Sequence, residues 1–157
     1  MRMPITRIVL IACWGLLWCV SLALPAAMMG PNPDHAYTGI IVLMLGWAGV
    51  FDGQFGWLAN LTLPGVAVLS LIKRAPVGLR AFVAAVQIGL AINALFWNWV
   101  ADEGGVRPPI DGFGPGYYLW LGVMFGSAAV LLVVTRRDAI DRRRQGRQVH
   151  ARASEAD

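Results

Sequence analysis

The sequence predicts an all-α integral membrane protein: a bundle of four transmembrane helices, with an additional half-length helix over residues 37–51 that is re-entrant or interfacial. Three observations carry that expectation. Of the 157 residues 57% are apolar and 14% charged, with a mean hydropathy of +0.60, against about 45 to 50% apolar and about 25% charged in soluble domains. Four stretches are each long enough to cross a hydrocarbon core about 30 Å thick, which takes roughly 20 apolar residues of helix. The basic residues fall almost entirely on one of the two sides those stretches create. The same composition excludes a disulfide scaffold, since there are two Cys, and a disordered chain. It also speaks against a nucleic-acid binder despite a pI near 9.7. The expected organisation is one transmembrane domain over residues 1–135 and a basic cytoplasmic tail, 136–157, that is disordered.

The first span is expected over residues 8–29, opened by Arg2 and Arg7 and closed by Gly30, Pro31, Asn32 and Pro33, a cluster that cannot continue a helix. A cleaved signal peptide is the rival, but an apolar region of about 17 residues exceeds the usual 7 to 15. Leu10-Ile11-Ala12-Cys13 resembles a lipobox, yet too few apolar residues precede the cysteine. The apolar stretch from Tyr37 to Ile72 is interrupted at Phe51-Asp52-Gly53-Gln54-Phe55-Gly56. One straight helix there would be about 54 Å long, so it must break. The remaining spans are expected over 79–100 and 117–135, reaching about 33 and 28 Å.

Charge decides how often the broken stretch crosses. Two crossings would put Lys73, Arg74, Arg80 and the arginine-rich tail outside, against the positive-inside rule. One crossing, over 53–72, puts Arg2, Arg7, Lys73, Arg74, Arg80, Arg136, Arg137, Arg142, Arg143, Arg144, Arg147 and Arg152 inside, twelve of the 13 basic residues, and leaves Arg107 alone outside. Both termini are then cytoplasmic.

Candidate binding residues follow from where polar and aromatic groups interrupt the apolar runs. Asp52 is placed to cap the helix after the break. Alternatively, the break exposes an amide end that receives a polar or anionic group with Gln54 and Asn60 nearby. Trp57, Trp97, Trp99 and Trp120, joined by Phe113, Tyr117 and Tyr118, fall at the outer ends of their spans. An anchoring belt is the first reading; an aromatic mouth for a lipid or quinone-like ring, with Asn98 and Asp52 as polar contacts, is the second. Trp14 and Trp18, inside the first span, read as packing residues.

Small residues at four-residue spacing predict close helix packing. They are Gly15, Cys19, Ala23 and Ala27 in the first span, Ala81, Ala85, Gly89 and Asn93 in the third, and Gly122 and Gly126 in the fourth. Gln87 and Asn98 lie near one face of the third span and Asn93 about 120° away.

The loop 101–116 carries Asp102, Glu103 and Asp111 and, with Asp34 and His35, makes an acidic outer face. No spaced ligand set accompanies those carboxylates, so neither metal nor cofactor is expected. Gly112, Gly114 and Gly116 lead into a membrane helix with no strand before them and make no dinucleotide fingerprint. His35 and His150 lie in loop and tail, and no Gly-x-Ser-x-Gly or His-Glu-x-x-His occurs, so no enzyme is expected. Cys13 and Cys19, about 9 Å apart along one helix, are too distant to bridge. The arginines after residue 135 read first as stop-transfer charge, then as a patch for anionic lipid or an acidic partner.

Gly46-Trp47, the run Gly53-Gln54-Phe55-Gly56-Trp57-Leu58-Ala59-Asn60, and Gly114-x-Gly116-Tyr117-Tyr118-Leu119-Trp120-Leu121 resemble a widespread group of small uncharacterised bacterial inner-membrane proteins. Members often place proline directly after Trp-Leu-Ala-Asn and serine after Tyr-Leu-Trp. Here Leu61 follows Asn60, Pro64 comes later, and Ser127 lies further on. The resemblance covers roughly the middle third and the start of the last span. It implies a four-helix membrane fold and no particular activity. The expected function is a non-enzymatic accessory or assembly subunit, in a larger membrane complex or a homo-oligomer. The alternative is a carrier or binding protein for a small polar or lipidic, quinone-like molecule.

Overall fold

The computed structural model describes residues 5–29, 36–100, 104 and 106–154, with backbone alone from residue 146 onward. Asp34, His35, Asp102 and Glu103 of the expected acidic face, and Arg2, lie outside the described residues.

The chain is mostly helical, with a small sheet. In order it forms α1 (Ile5–Ala23), β1 (Pro25–Met28), β2 (Ala36–Thr38) and α2 (Gly39–Leu45), which tightens into a 3-10 segment, Gly46–Asp52. A second 3-10 segment, Phe55–Leu58, leads into α3 (Ala59–Leu71). After α4 (Val77–Ala94) come β3 (Gly112–Phe113) and α5 (Pro115–Ser154). Three helices are long and apolar enough to cross a membrane: α1, α4 and the Pro115–Gln145 part of α5. Gly39–Asp52 and Phe55–Leu71 are shorter apolar segments.

The first span stops earlier than expected. Pro25 disfavours helical backbone at Leu24, and the residues after it, Pro25–Met28, form the central strand of a three-stranded antiparallel sheet ordered β2-β1-β3. The third span also ends early, at Ala94 rather than residue 100. Beyond it the chain is drawn into pairings with the following loop, Trp99 bridging Pro109 and the Ile110 amide donating to the Asn98 carbonyl at 2.9 Å. The basic tail continues α5 as helix to Ser154 instead of leaving it as irregular chain.

Hydrogen bonds between helices fix the two ends of the molecule. At one end Ser21, Asn60, Ala94 and Tyr117 gather beside the sheet; at the other Arg7, Ser70, Arg80 and Asp138 meet. So α1, α3, α4 and α5 run alternately from end to end. Residues 39–52 stay at the sheet end, where the Trp57 indole donates to the Leu43 carbonyl at 2.7 Å.

The break before α3 is held by two devices. Gly53 has φ +82, a left-handed conformation that glycine adopts without steric cost. The Asn93 side chain of α4 then accepts from the Gly56 amide at 2.9 Å and donates to the Gly53 carbonyl at 3.2 Å. Irregular backbone among apolar helices needs such partners, since each orphan group there costs several kcal/mol. A Cβ on Gly56 would stand 2.6 Å from that of Ala94, so only glycine permits this approach of the break to α4.

Candidate functional site

The core cluster at the sheet end is built from aromatic rings around one amide. Asn60, in the first turn of α3, accepts from the Trp18 indole of α1 at 3.1 Å and from the Trp120 indole of α5 at 2.9 Å. Its Nδ2 donates to the Trp57 carbonyl at 2.9 Å. One carboxamide thus joins three helices, with both lone pairs of its oxygen used. Trp97 stacks on Trp120 with ring centroids 6.0 Å apart, and Phe113 lies 3.9 Å from Tyr117. The Tyr117 hydroxyl donates to the Ala94 carbonyl at 2.8 Å.

Four sequence-predicted residues therefore come together: Asn60, Trp57, Trp97 and Trp120 line one cavity. Its volume is about 30 Å3, room for one or two waters and far below the roughly 300 to 1,000 Å3 of small-molecule sites. The buried Trp97 Nε1 finds no acceptor among the described residues. The anchoring-belt reading is corrected for Trp120 and Tyr117, which are 8% and 5% exposed. Their spacing puts them on the inward face of α5, whereas Tyr118 and Trp47 face outward.

The other three predicted polar residues sit at the surface. Asp52 caps no helix: it closes the Gly46–Asp52 segment, and the next helical segment starts after Gln54 with no side-chain cap. The Asp52 carboxylate instead pairs with Arg107 at 3.0 Å, and that guanidinium stacks 4.7 Å from the Trp99 ring. In one amide orientation Gln54 donates to the Asn98 side-chain oxygen at 3.3 Å, a bond that the opposite orientation gives up. With its amide oxygen toward Trp99, Gln54 accepts from that indole at 2.6 Å and donates to the Trp99 carbonyl at 3.2 Å, which is the orientation that satisfies both groups. These contacts tie the break to the loop after α4.

The packing residues divide. Gly126 lies under the Trp14 ring, which a Cβ there would strike. Gly15, Gly89 and Gly122 have nothing within 4 Å of a Cβ, and Ala85 is exposed. The ridge expected at 81, 85 and 89 therefore faces outward. The buried face of α4 is Arg80, Ala84, Gln87, Ala91 and Ala94, one position away, because Gln87 and Arg80 have partners to reach inside. Gln87 donates to the Met124 carbonyl at 2.9 Å and to the Ser127 hydroxyl at 2.6 Å, and accepts from Thr62 at 3.1 Å.

The sequence reading passed over the most buried charge among the described residues. Arg80, 0% exposed, donates to Asp138 at 2.8 Å and to the Ile72 carbonyl. Arg7 adds a fork onto the same carboxylate at 2.5 and 3.3 Å and donates to the Ser70 carbonyl at 3.1 Å. Two signals pointed there: a cation one turn inside an apolar helix needs a partner, and Asp138 is the first acid after the last span. No group of three or more His, Cys, Asp or Glu able to hold a metal occurs among the described residues, and Cys13 and Cys19 are free thiols. Comparison of the chain with protein-family models, curated proteins and solved structures finds no match to any of them.

Proposed function

We propose that the protein is a non-enzymatic accessory or assembly subunit of a bacterial inner-membrane complex, crossing the bilayer four times with both termini in the cytoplasm. The alternation of α1, α3, α4 and α5 between the two ends supports four crossings. The confinement of residues 39–52 to the sheet end supports an interfacial or re-entrant place for that segment. The twelve-to-one division of basic residues sets the orientation through the positive-inside rule, and the sequence resemblance supports the bacterial inner membrane.

One observation carries the subunit reading: the outward face of α4 is a ridge of small residues, Gly78, Ala81, Ala85 and Gly89, all exposed and with nothing near the glycines. The outward face of α1 presents Ile8, Leu16 and Val20, and α4 carries Leu79, Phe82 and Ile92 beside its ridge, bulk suited to lipid tails. A small-residue ridge lets another helix approach to backbone distance, where van der Waals packing drives association in a membrane. The interior polar groups Asn60, Gln87 and Asn93 are meanwhile committed to the chain's own helices. A carrier of a quinone-like molecule finds support in the aromatic walls of the sheet-end cavity, but about 30 Å3 does not hold such a ring.

The test is the double substitution Ala85→Leu and Gly89→Leu, read by native mass spectrometry after mild detergent extraction. Because both positions face outward, the monomer should melt within about 0.5 kcal/mol of the parent, as surface changes do, while the copurifying subunit or second copy is lost. Retention of the same complex by the variant contradicts the reading.

A further inference from the structure

At the end of the bundle opposite the sheet, a crevice of about 610 Å3 opens between α1, the α3–α4 turn and α5. Five cations line it: Arg7, Lys73, Arg74, Arg137 and Arg142. Two carboxylates, Asp138 and Asp141, face them, so five against two leaves an excess of three positive charges. Asp138 is already held by Arg7 and Arg80. Lys73, Arg74 and Arg137 are exposed and have no ion pair among the described residues. The crevice therefore presents three uncommitted cations around a wide opening.

An apolar groove of about 110 Å3 lies next along the helices, lined by Ile11, Trp14, Leu63 and Ala67 among others. Three connections join the two. Ser70 lines the groove, and its carbonyl accepts from Arg7 of the crevice. Ile11 of the groove stands one turn, about 6 Å, beyond Arg7 on α1. On α5, Ser127 and Val130 line the groove while Val134, Asp138 and Asp141 line the crevice, three- and four-residue steps along one helix face. The cationic crevice and the apolar groove thus follow one another along the direction of the helices, with the Arg7–Ser70 contact between them.

We propose that crevice and groove form one binding site for an acidic phospholipid. The phosphate-bearing headgroup sits among Lys73, Arg74 and Arg137, and one acyl chain lies along the groove between α1 and α3. A phosphate or acidic headgroup answers the excess charge, as basic pockets between membrane helices do. A choline headgroup does not, because it would set its own cation among three others. A free phosphate satisfies the crevice alone and leaves the groove without a role.

The experiment uses the full chain purified in a neutral detergent and titrated in native mass spectrometry. The ligands are phosphatidylglycerol and phosphatidylcholine of identical chains, with inorganic phosphate as competitor. Phosphatidylglycerol should be retained at least tenfold more tightly than phosphatidylcholine. The variant Lys73→Gln, Arg74→Gln, Arg137→Gln should lose about a hundredfold, roughly fivefold for each charge removed, with its helical circular dichroism unchanged, since none of the three holds the fold. Ala67→Phe, which fills the groove, should weaken lipid retention and leave the effect of inorganic phosphate as it was. Equal retention of the two lipids, or a triple variant that keeps its phosphatidylglycerol, overturns the proposal. Displacement of the lipid by millimolar phosphate together with an indifferent Ala67→Phe assigns the crevice to free phosphate and overturns it too.

Discussion

Asn60 shows how a single polar side chain organises an apolar interior. Its oxygen collects the indoles of Trp18 and Trp120, so α1, α3 and α5 meet at one atom. Removing it strands two donors where water is scarce, and each buried unsatisfied group costs about 1 to 3 kcal/mol. The unfolded chain in a membrane finds other partners, which lowers the net effect. Asn60→Leu should therefore destabilise the fold by about 1 to 3 kcal/mol in denaturant unfolding followed by tryptophan fluorescence, and Asn60→Asp, which keeps the acceptor, by less. Equal losses for both would mean that the acceptor role is not what matters. Asp52, the carboxylate that stood out in the sequence, is a contrasting case. Its ion pair with Arg107 is half exposed, 33% and 55% for the two side chains, and exposed pairs contribute about 0 to 1 kcal/mol. The sequence showed both residues as polar interruptions but carried no sign of which one the interior would use. That depended on Trp18 and Trp120, 42 and 60 positions away from Asn60.

At the scale of elements, the ends of α1, α4 and α5 are joined by one carboxylate. Asp138 receives Arg7 from α1 and Arg80 from α4, and Arg142 donates back to the Asp138 carbonyl at 3.3 Å. Breaking a buried pair by removing one partner costs about 3 to 5 kcal/mol, whereas replacing the pair with apolar side chains is often neutral. Asp138→Leu should accordingly unfold at markedly lower denaturant concentration. Arg80→Met with Asp138→Leu should recover most of the loss, since Arg7 is partly exposed and keeps the Ser70 carbonyl as an acceptor. A double variant no more stable than Asp138→Leu would show that the charge at Arg80 was not the liability. The helical elements themselves were legible, because runs of apolar residues near bilayer length and a break rich in glycine are local signals. The sheet was not. Its strands are four, three and two residues long, too short for any periodicity, and β1 pairs with β3 across more than 80 positions. Pro25 was the one local clue that α1 ends before residue 29. The outward turn of the 81, 85, 89 ridge was equally hidden, since small residues signal close packing without saying whether the partner helix belongs to the same chain.

For the whole molecule, charge and aromatic character separate along the bundle. The clustered rings around Asn60, the sheet and the 39–52 segment occupy one end, while Arg7, Lys73, Arg74, Arg80, Arg136, Arg137 and Arg142 occupy the other. This asymmetry supports the proposed orientation in the bilayer, in which the small-residue ridge of α4 would face neighbouring helices and the cationic crevice would lie at headgroup depth. The central claim is thus the four-crossing arrangement with the basic end in the cytoplasm. Topology reporters fused after Pro76, in the α3–α4 turn, and at the C-terminus test it directly. Both should read cytoplasmic. A periplasmic reading at either position would contradict the arrangement and return the 39–52 segment to a full crossing of its own.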